Sequence, residues 1–532
     1  MTDTYDYIVI GAGSAGCVLA NRLSASGRHK ILLLEAGPPD RNPWIHIPLG
    51  YGKLFKNARL NWMYETEPEP NLGGRRIFQP RGKVLGGSSS INGLVYIRGQ
   101  AEDFDHWRQL GNTGWSYDDV LPYFLRAEDQ ERGANDHHGI GGPLAVSDQR
   151  DTHPLADAFI AAGVATGLPR NDDFNGARQE GIGYFQTTSR NGVRCSTATG
   201  YLKPARARKS LNIVTGAHVE RILFNGRRAM GVAYRKNGES RKARASGEVI
   251  LSAGAVNSPQ LLELSGIGDG ERLGSLGIPV IRDNPNVGEN LQDHFQVRMV
   301  LEATQPFTIN DKYNNPLRRI AIGLDYLFRR RGPLTVSAGC AAAFFKTRPE
   351  IATPDVQVHF ILFSTDRMGE NFHPFSGFTA SVCQLRPESR GSIHITSADP
   401  FAAPAIRANY LSTERDCQTN VDGLRILRTI LDGEPMQPLL AREVMPGPDT
   451  QSDAGLLDYC RKTGSTIYHP AGTCAMGGDD RAVVTPELKV SGIEGLRVAD
   501  ASIMPRLVSG NTNAPVVMIG EKASDLILAD AP

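Results

Sequence analysis

Short apolar runs separated by glycine turns open the chain and predict a strand–helix–strand unit. Residues 5–10 are mostly β-branched and aromatic, as in a buried strand, and residues 17–23 carry an apolar face at helical spacing. Residues 30–34 form a second apolar run, which ends at Glu35. The order strand, glycine turn, helix, strand and acid is typical of a nucleotide-binding α/β unit.

The pattern changes twice further along the chain. Strand–turn–helix signals return over residues 211–262 and again in the last 65 residues, whereas residues 300–460 alternate between apolar and polar positions. Such alternation predicts a mostly antiparallel sheet with one face in water. Residues 128–195 show no clear period and predict a loop-rich segment. We therefore expect an α/β protein in which a Rossmann-like domain is interrupted by a second, α+β substrate domain.

The expected domain boundaries follow these changes in pattern. The discontinuous nucleotide-binding domain is expected in three parts, residues 1–150, 196–299 and 461–532, the last of which carries the catalytic residues. Residues 151–195 are expected to form a substrate or lid segment, and residues 300–460 the substrate-binding domain.

The first glycine turn has the spacing of a phosphate-binding loop. Gly11 permits the tight turn, Gly13 lets the backbone approach a pyrophosphate, and Gly16 lets the helix pack against the strand. The helix N-terminus offers free N–H groups and the positive end of its dipole. Glu35 lies 19 residues after Gly16, where an acid can accept a hydrogen bond from a ribose 2′-OH. The motif by itself fits FAD and NAD equally.

Composition narrows the class of partner. The chain of 532 residues has 58 basic and 57 acidic side chains, so no basic surplus suggests a nucleic-acid partner. Seven cysteines without a CxxC pair suggest reduced thiols. The first strand follows the first residues directly and no run of 18 apolar residues occurs, so we expect a cytoplasmic protein. His137 and His138 have no third ligand at suitable spacing, and no metal is expected.

One helical pattern bears on membrane contact. Leu317, Ile320, Leu324 and Leu327 recur at helical spacing between arginine clusters at 318–319 and 329–331. A basic amphipathic helix can lie on anionic lipid. We favour an ordinary domain helix with solvated arginines, and leave a peripheral membrane contact open.

A second run of small residues, 82–93, could place its backbone against a flat or charged ligand. The sequence of this run resembles a motif of the glucose–methanol–choline (GMC) flavin oxidoreductases. Four further motifs of that family are resembled by residues 254–268, 286–294, 468–474 and 510–515. The five motifs occur in order, and the resemblance spans residues 5 to about 525. It is strongest to the bacterial choline dehydrogenase and aliphatic alcohol dehydrogenase branch.

The resemblance implies FAD as the cofactor and assigns its contacts. They are Ser14, Ala15, Glu35 and Ala36 for the ADP half, Val219 for adenine, Val84, Ser88, Asn92, Gly93, Leu94 and Val95 for pyrophosphate and flavin, and Asp500 and Ala501 near the ribityl chain and pyrophosphate. Some members attach flavin through a histidine at the position of Ile91. Isoleucine cannot form that bond, so we expect non-covalent FAD.

The chemistry of such a flavin enzyme asks for a base and a polar partner. The alcohol loses a hydride to flavin N5 and its hydroxyl proton to the protein. Histidine, with an ordinary pKa of about 6.5, suits the base, and asparagine can hold the oxygen without charge. The resemblance gives these roles to His469 and Asn513, with Asn511 as the rival for the second.

The expected function is oxidation of a primary alcohol to an aldehyde, with electrons passed to a quinone-type or other acceptor. The alternative is an oxidase that uses O₂ and releases H₂O₂. A lyase or photodecarboxylase on the same fold, and a non-catalytic nucleotide-binding protein, are disfavoured because His469 and its asparagine suit hydroxyl oxidation.

Overall fold

The computed structural model describes residues 3–367 and 369–531. Two seven-stranded sheets dominate this part of the chain. Their strands are β1 (Thr4–Ile10), β2 (Ile31–Glu35), β3 (Gly181–Tyr184), β4 (Leu211–Thr215), β5 (Ala217–Asn225), β6 (Arg228–Lys236), β7 (Glu239–Leu251), β8 (Phe295–Ala303), β9 (Ala341–Phe345), β10 (Val356–Ile361), β11 (Gly377–Gln384), β12 (Leu440–Met445), β13 (Ser465–Thr466) and β14 (Leu496–Val498).

Longer helices cover these sheets. They are α1 (Ser14–Leu23), α2 (Ala101–Gln109), α3 (Tyr117–Ala127), α4 (Pro154–Ala165), α5 (Gly254–Leu264), α6 (Pro316–Arg329), α7 (Glu414–Leu431), α8 (Asp453–Thr463) and α9 (Asn513–Ala529). Short helical turns occupy Pro43–His46, Pro48–Gly50, Tyr51–Leu54, Pro70–Leu72, Gly87–Ser90, Ala198–Leu202, Lys203–Ala205, Gly270–Ser275, Ile309–Tyr313, Pro333–Thr335 and Ala501–Ile503. Two-stranded pairs join Tyr64–Glu65 with Phe78–Gln79, Glu128–Gln130 with Leu144–Val146, Ser189–Arg190 with Val193–Arg194, Ile267–Gly268 with Arg282–Asp283, and Ser392–His394 with Ala405–Arg407.

The first sheet has the order β4-β2-β1-β7-β6-β5, with β14 paired to the end of β7. The neighbours β4, β2, β1, β7 and β14 run parallel, and β5, β6 and the start of β7 form an antiparallel meander. The apolar runs in β1 and β2 are buried on both faces, as expected for parallel strands covered by helices. This sheet places the ends of β1, β2 and β14 at one edge, where α/β folds bind ligands.

The two ends of the chain meet on this sheet. Helices α1 and α9 pack side by side, and Gly520 permits the contact because a Cβ there would lie 3.0 Å from Ala15 Cα. The buried Glu521 carboxylate accepts three hydrogen bonds from Arg22 of α1, the shortest at 2.7 Å. The discontinuous Rossmann-like domain expected from the sequence is therefore confirmed as a fold class.

The second sheet is antiparallel throughout, in the order β12-β8-β11-β10-β9-β3, with β13 beside the start of β8. The expectation of one water-exposed face is wrong, because β9, β10 and β11 are buried along their whole lengths. Helices α4 and α7 cover one face, and the other face borders a cavity shared with the first sheet. The residue boundaries of the two domains stay a prediction.

The segment 128–195 is more ordered than its sequence pattern indicates. Helix α4 occupies 12 of its residues, is capped by His153 at its N-terminus, and buries Leu155, Phe159 and Ile160 against the second sheet. Its pattern is hard to recognise because it is apolar on most faces, with five alanines and a glycine among its residues. Within the described residues, no helix combines the length and apolarity needed to cross a bilayer.

Candidate active site

A deep cavity lies between the two sheets. Its empty space, with the open mouth included, is about 2040 Å³. One end is formed by the edge of the first sheet where β1, β2 and β14 stop, and the other by the inner face of β8 and β10. A cavity with these two walls can hold an extended nucleotide cofactor at one end and a small substrate at the other.

The first glycine turn forms one wall of this cavity. Gly11 has φ +94°, and a Cβ there would lie 2.5 Å from the carbonyl oxygen of Ser252. A Cβ on Gly16 would lie 1.9 Å from the carbonyl oxygen of Gly11, so close packing of helix on strand requires glycine. Gly13 is the N-cap of α1 and no side chain caps this end, so N–H groups of the first turn are left for an anion.

Glu35 ends β2 at the rim of the same wall. Its carboxylate accepts hydrogen bonds from the backbone N–H of Ala12 at 2.9 Å and from that of Gly37 at 2.8 Å. Burial raises its pKa to about 7, although both N–H groups oppose the rise. The two bonds fix the acid beside the glycine turn, where its remaining lone pairs face the cavity.

The run of small residues forms the opposite wall. A Cβ on Gly87 would lie 2.7 Å from Gly13 Cα, so the two glycine loops are in contact. Asn92 is held from behind by Arg194, which donates to its side-chain oxygen at 2.6 Å and to its backbone carbonyl at 2.7 Å. Burial lowers the pKa of Arg194 to about 9.

Most residues predicted for the site line the cavity. They are Gly11, Gly13, Ser14, Ala15, Glu35, Ala36, Ser88, Asn92, Gly93, Leu94, Val95, Val219, His469, Asp500, Ala501 and Asn513. Gly16 does not, because it serves the helix–strand contact, and neither does Val84, which packs in a small core cluster with Ile45, Leu54, Leu60 and Ile91. Ile91 itself also lines the cavity.

His469 is held in place through its backbone. The preceding residue, Tyr468, has φ +73°, which is unfavourable for a tyrosine and marks a constrained turn. The buried Asp293 accepts a hydrogen bond from the His469 N–H at 2.8 Å and another from Thr466 Oγ1 at 2.6 Å. Burial raises the Asp293 pKa, and the Thr466 hydroxyl is the first of several donors that oppose that rise. The turn and the carboxylate together aim the imidazole into the cavity.

Hydrogen bonds behind His469 determine which of its nitrogens is free. His294 donates through Nε2–H to the carbonyl of Leu385 at 2.9 Å, and burial lowers its pKa to about 4. A neutral His294 therefore has an unprotonated Nδ1, which lies 3.0 Å from Nδ1 of His469 and can only accept. His469 must donate through Nδ1–H, and its Nε2 carries the lone pair that faces the cavity.

The protonation state of His469 suits a base. Burial lowers its pKa well below 6.5, and the neighbouring His294, His359 and Arg81 lower it further. The imidazole is therefore neutral at pH 7. The pKa of the proposed base is thus lower than the ordinary histidine value expected from the sequence.

Asn511, rather than Asn513, lies against this imidazole. The Asn511 amide nitrogen is 3.3 Å from His469 Nε2, and its oxygen accepts from Gln357 at 3.0 Å. Asn513 begins α9, and its oxygen instead accepts from Ser14 at 2.8 Å in the phosphate-loop wall. The geometry therefore favours Asn511 for the role that the family resemblance assigns to Asn513. The two asparagines are only two residues apart, and the turn before α9 determines which of them faces His469.

Several polar groups around His469, at the end of the cavity formed by β8 and β10, were not predicted from the sequence. Asp293 and His294 fall inside the motif 286–294, but nothing in the pattern indicates that they meet His469, about 175 positions later. Gln357 and His359 come from β10 and look like ordinary strand residues. His359 is 3% exposed and lines the cavity, and neither ring nitrogen has a partner within the described residues. Burial lowers its pKa to about 3.

His138 is buried, with 4% of its surface exposed. Its ring lies between Glu128 at 3.1 Å and Asp173 at 2.9 Å, and these acids raise its pKa to about 9 against the opposing effect of burial. It lies outside the cavity lining and serves an ion-pair network with Arg98.

Comparison with known proteins gives the family. The model described as GMC oxidoreductase matches in two parts, at residues 5–296 and 387–520. The chain belongs to the GMC oxidoreductases. Along its length this GMC oxidoreductase is 45% identical to an alcohol dehydrogenase [acceptor] of Pseudomonas putida, over 98% of this chain and 96% of that one. It is also 45% identical to an oxygen-dependent choline dehydrogenase of Pseudomonas putida KT2440, over 100% and 95%.

Solved structures agree with this family. An FAD-dependent oxidoreductase from Chaetomium thermophilum superposes with a TM-score of 0.90 at 26% identity, over 99% of both chains. This GMC oxidoreductase is thus an enzyme that oxidises alcohols with FAD, as its sequence motifs implied.

The cavity fits FAD without a covalent link. The uncapped N-terminus of α1 and the two touching glycine loops leave room for a pyrophosphate, and Glu35 lies where a ribose hydroxyl would donate. Ile91 presents no nucleophile to the cavity, so FAD is bound non-covalently.

Proposed function

We propose that this GMC oxidoreductase oxidises a primary alcohol to an aldehyde, with His469 as the base and Asn511 as the group that holds the substrate oxygen. The observation that carries the proposal is the unprotonated Nε2 of a neutral His469 beside the Asn511 amide, at the end of the cavity formed by β8 and β10. Among the lining histidines of the described residues, only His469 has a side-chain amide within hydrogen-bond distance of a ring nitrogen.

The proposed reaction balances with these groups. The hydroxyl proton passes to His469 Nε2 as the O–H bond breaks, and the α-carbon loses its hydrogen with both electrons, so the C–O bond becomes a carbonyl. Bound FAD supplies the acceptor for those two electrons. Asn511 donates an N–H to the oxygen as negative charge develops there, which favours the transition state over the neutral alcohol.

We propose a quinone-type acceptor for the second half-reaction. A relative that is 45% identical is named for an unspecified acceptor, while another of equal identity is named as oxygen-dependent, so O₂ is the second candidate.

One experiment separates these acceptors and also tests the function. Anaerobic mixing with primary alcohols is expected to bleach the flavin absorbance of the purified holoenzyme, and a soluble quinone is expected to restore it faster than air does. Stopped-flow absorbance and a peroxide assay measure both steps. Stoichiometric peroxide with rapid reoxidation in air would favour the oxidase, and no bleaching with any alcohol would exclude alcohol oxidation.

Helix α6 supports a peripheral membrane contact, which we include in the proposal. Its apolar stripe faces away from the protein, with Leu317, Ile320, Leu324, Leu327 and Phe328 between 51% and 79% exposed. Arg318, Arg319, Arg329 and Arg331 are also exposed and flank that stripe. The favoured reading of an ordinary domain helix does not explain an outward apolar stripe. Apolar side chains within a basic rim match the surface of an anionic bilayer.

Vesicle binding tests this contact. Replacing Phe328 by glutamate is expected to reduce sedimentation with vesicles that contain phosphatidylglycerol by about tenfold or more, because an exposed aromatic side chain gains about 1.5–3 kcal/mol on burial. Phe401→Glu is the matched control, since Phe401 is 51% exposed on another surface. Equal binding by both variants, or equal binding of the parent protein to neutral vesicles in high salt, would contradict the contact.

A further inference from the structure

The charges at the substrate end of the cavity indicate what kind of alcohol fits. The only carboxylates among the described lining residues are Glu35 and Asp500. Glu35 is committed to the backbone at the tip of β2, and Asp500 accepts from Gly254 N–H at 2.9 Å and from Ser258 Oγ at 2.6 Å. Both belong to the cofactor end. The face of β8 and β10 therefore offers no negative charge to a substrate.

Two guanidinium groups line the same cavity. Arg81 donates to the Tyr468 carbonyl at 2.6 Å and to the Pro80 carbonyl at 2.5 Å, so it is held by backbone. Arg298 projects from β8, and its charge opposes the rise that burial causes in the pKa of both Tyr51 and Tyr468. Within residues 3–367 and 369–531, neither guanidinium has a carboxylate oxygen within 4.0 Å.

Strand register places Arg298 on the reacting side of the sheet. In the pairing of β8, β11 and β10, Arg298 lies opposite Ser381, and Ser381 lies opposite His359. Directly opposed residues share a face, so Arg298 and His359 project to the same side from Cα positions about 10 Å apart, two strand spacings. Gln296, two residues before Arg298, also lines the cavity. A substrate bound against this face can therefore place its hydroxyl at His469 and its other end at Arg298.

A part-buried guanidinium without a counter-charge is unfavourable unless a ligand supplies one. The planar donors of arginine match the two oxygens of a carboxylate. A quaternary ammonium group would meet a like charge here, and no carboxylate offsets it. We propose that the substrate is an alcohol that carries a carboxylate at its far end, bound by Arg298, and that choline is a poor substrate. This inference rests on the proposed alcohol oxidation and specifies its substrate class.

A matched set of substrates tests the inference on the holoenzyme. Anaerobic flavin reduction is measured with 6-hydroxyhexanoate, 1-hexanol, 6-amino-1-hexanol and choline. We expect kcat/KM to be highest for 6-hydroxyhexanoate and lowest for the two cations. In Arg298→Gln, the preference for 6-hydroxyhexanoate over 1-hexanol is expected to fall roughly 10–100-fold, the effect of losing a hydrogen bond to a charged group. Arg298→Lys should keep part of the preference.

A second readout does not depend on turnover. Hexanoate lacks the hydroxyl, and its binding can be followed by the change it causes in the flavin spectrum, with a Kd that should rise in Arg298→Gln. Arg442→Gln is the control, because Arg442 lies on the same sheet in an exposed pair with Glu302. A preference for 1-hexanol or for either cation, or a preference for 6-hydroxyhexanoate that survives in Arg298→Gln, would overturn the inference. Failure of every alcohol to reduce the flavin would instead overturn the proposed function as well.

Discussion

Replacing His469 by alanine is expected to slow flavin reduction by about 10²–10⁴-fold, the usual cost of losing a positioned general base. The variant should retain FAD, because the residues expected to hold the nucleotide lie on the other walls of the cavity. Stopped-flow absorbance with a saturating alcohol measures the reduction, and the visible spectrum measures bound FAD. His106→Ala is the control, since His106 is exposed on α2. Near-parent reduction by the His469 variant would remove the base from the proposal.

The same residue determines the expected pH dependence. Only the neutral imidazole can accept the hydroxyl proton, and burial with its cationic and histidine neighbours lowers the His469 pKa well below 6.5. Protonation therefore occurs only on the acidic side, so kcat/KM should be constant at neutral and alkaline pH and fall below pH 6.5. Half-maximal kcat/KM at or above pH 6.5 would contradict this account of the site.

Removing the Asn511 amide is expected to lower flavin reduction by about 10²–10³-fold, the loss typical of one donor to a developing oxyanion. In Asn511→Ala the donor beside His469 Nε2 is gone and Gln357 loses its partner. Asn513→Ala is the matched variant two positions away. It loses the hydrogen bond with Ser14, so its main effect should be on FAD retention.

The two asparagine variants give opposite patterns if the geometry is correct. Asn511→Ala should keep its flavin and reduce it slowly, while Asn513→Ala should reduce its remaining flavin at a rate within about tenfold of the parent. Flavin content after gel filtration and single-turnover absorbance measure the two quantities. The reverse pattern would restore the assignment made from the sequence motif.

The cofactor end was predictable because its signal is local. Gly11, Gly13, Gly16 and Glu35 lie within one strand–turn–helix–strand unit, and each has a backbone reason for its residue type that can be recognised from spacing. The fold class followed in the same way from the change of period along the chain. The wet face assigned to the second sheet was wrong because alternation cannot tell solvent from a cavity lined by polar side chains.

The substrate end was less predictable because it is assembled from distant segments. His294 and Asp293 meet His469 only when the start of β8 lies beside β13. Arg298 is placed on the same face as His359 only by the register of both residues with Ser381. No local pattern encodes those pairings. The choice between Asn511 and Asn513 was open for a different reason, since both fit the same short motif and the turn into α9 separates them.

The chain of imidazoles behind His469 has a consequence for the fate of the abstracted proton. It ends at the Leu385 carbonyl, which is an acceptor of hydrogen bonds but no carrier of protons. A proton taken up at Nε2 thus has no exit through His294, since that ring already donates to the carbonyl and would only store the charge in a buried position. If His469 is the base, the proton therefore returns to solvent through the open side of the cavity.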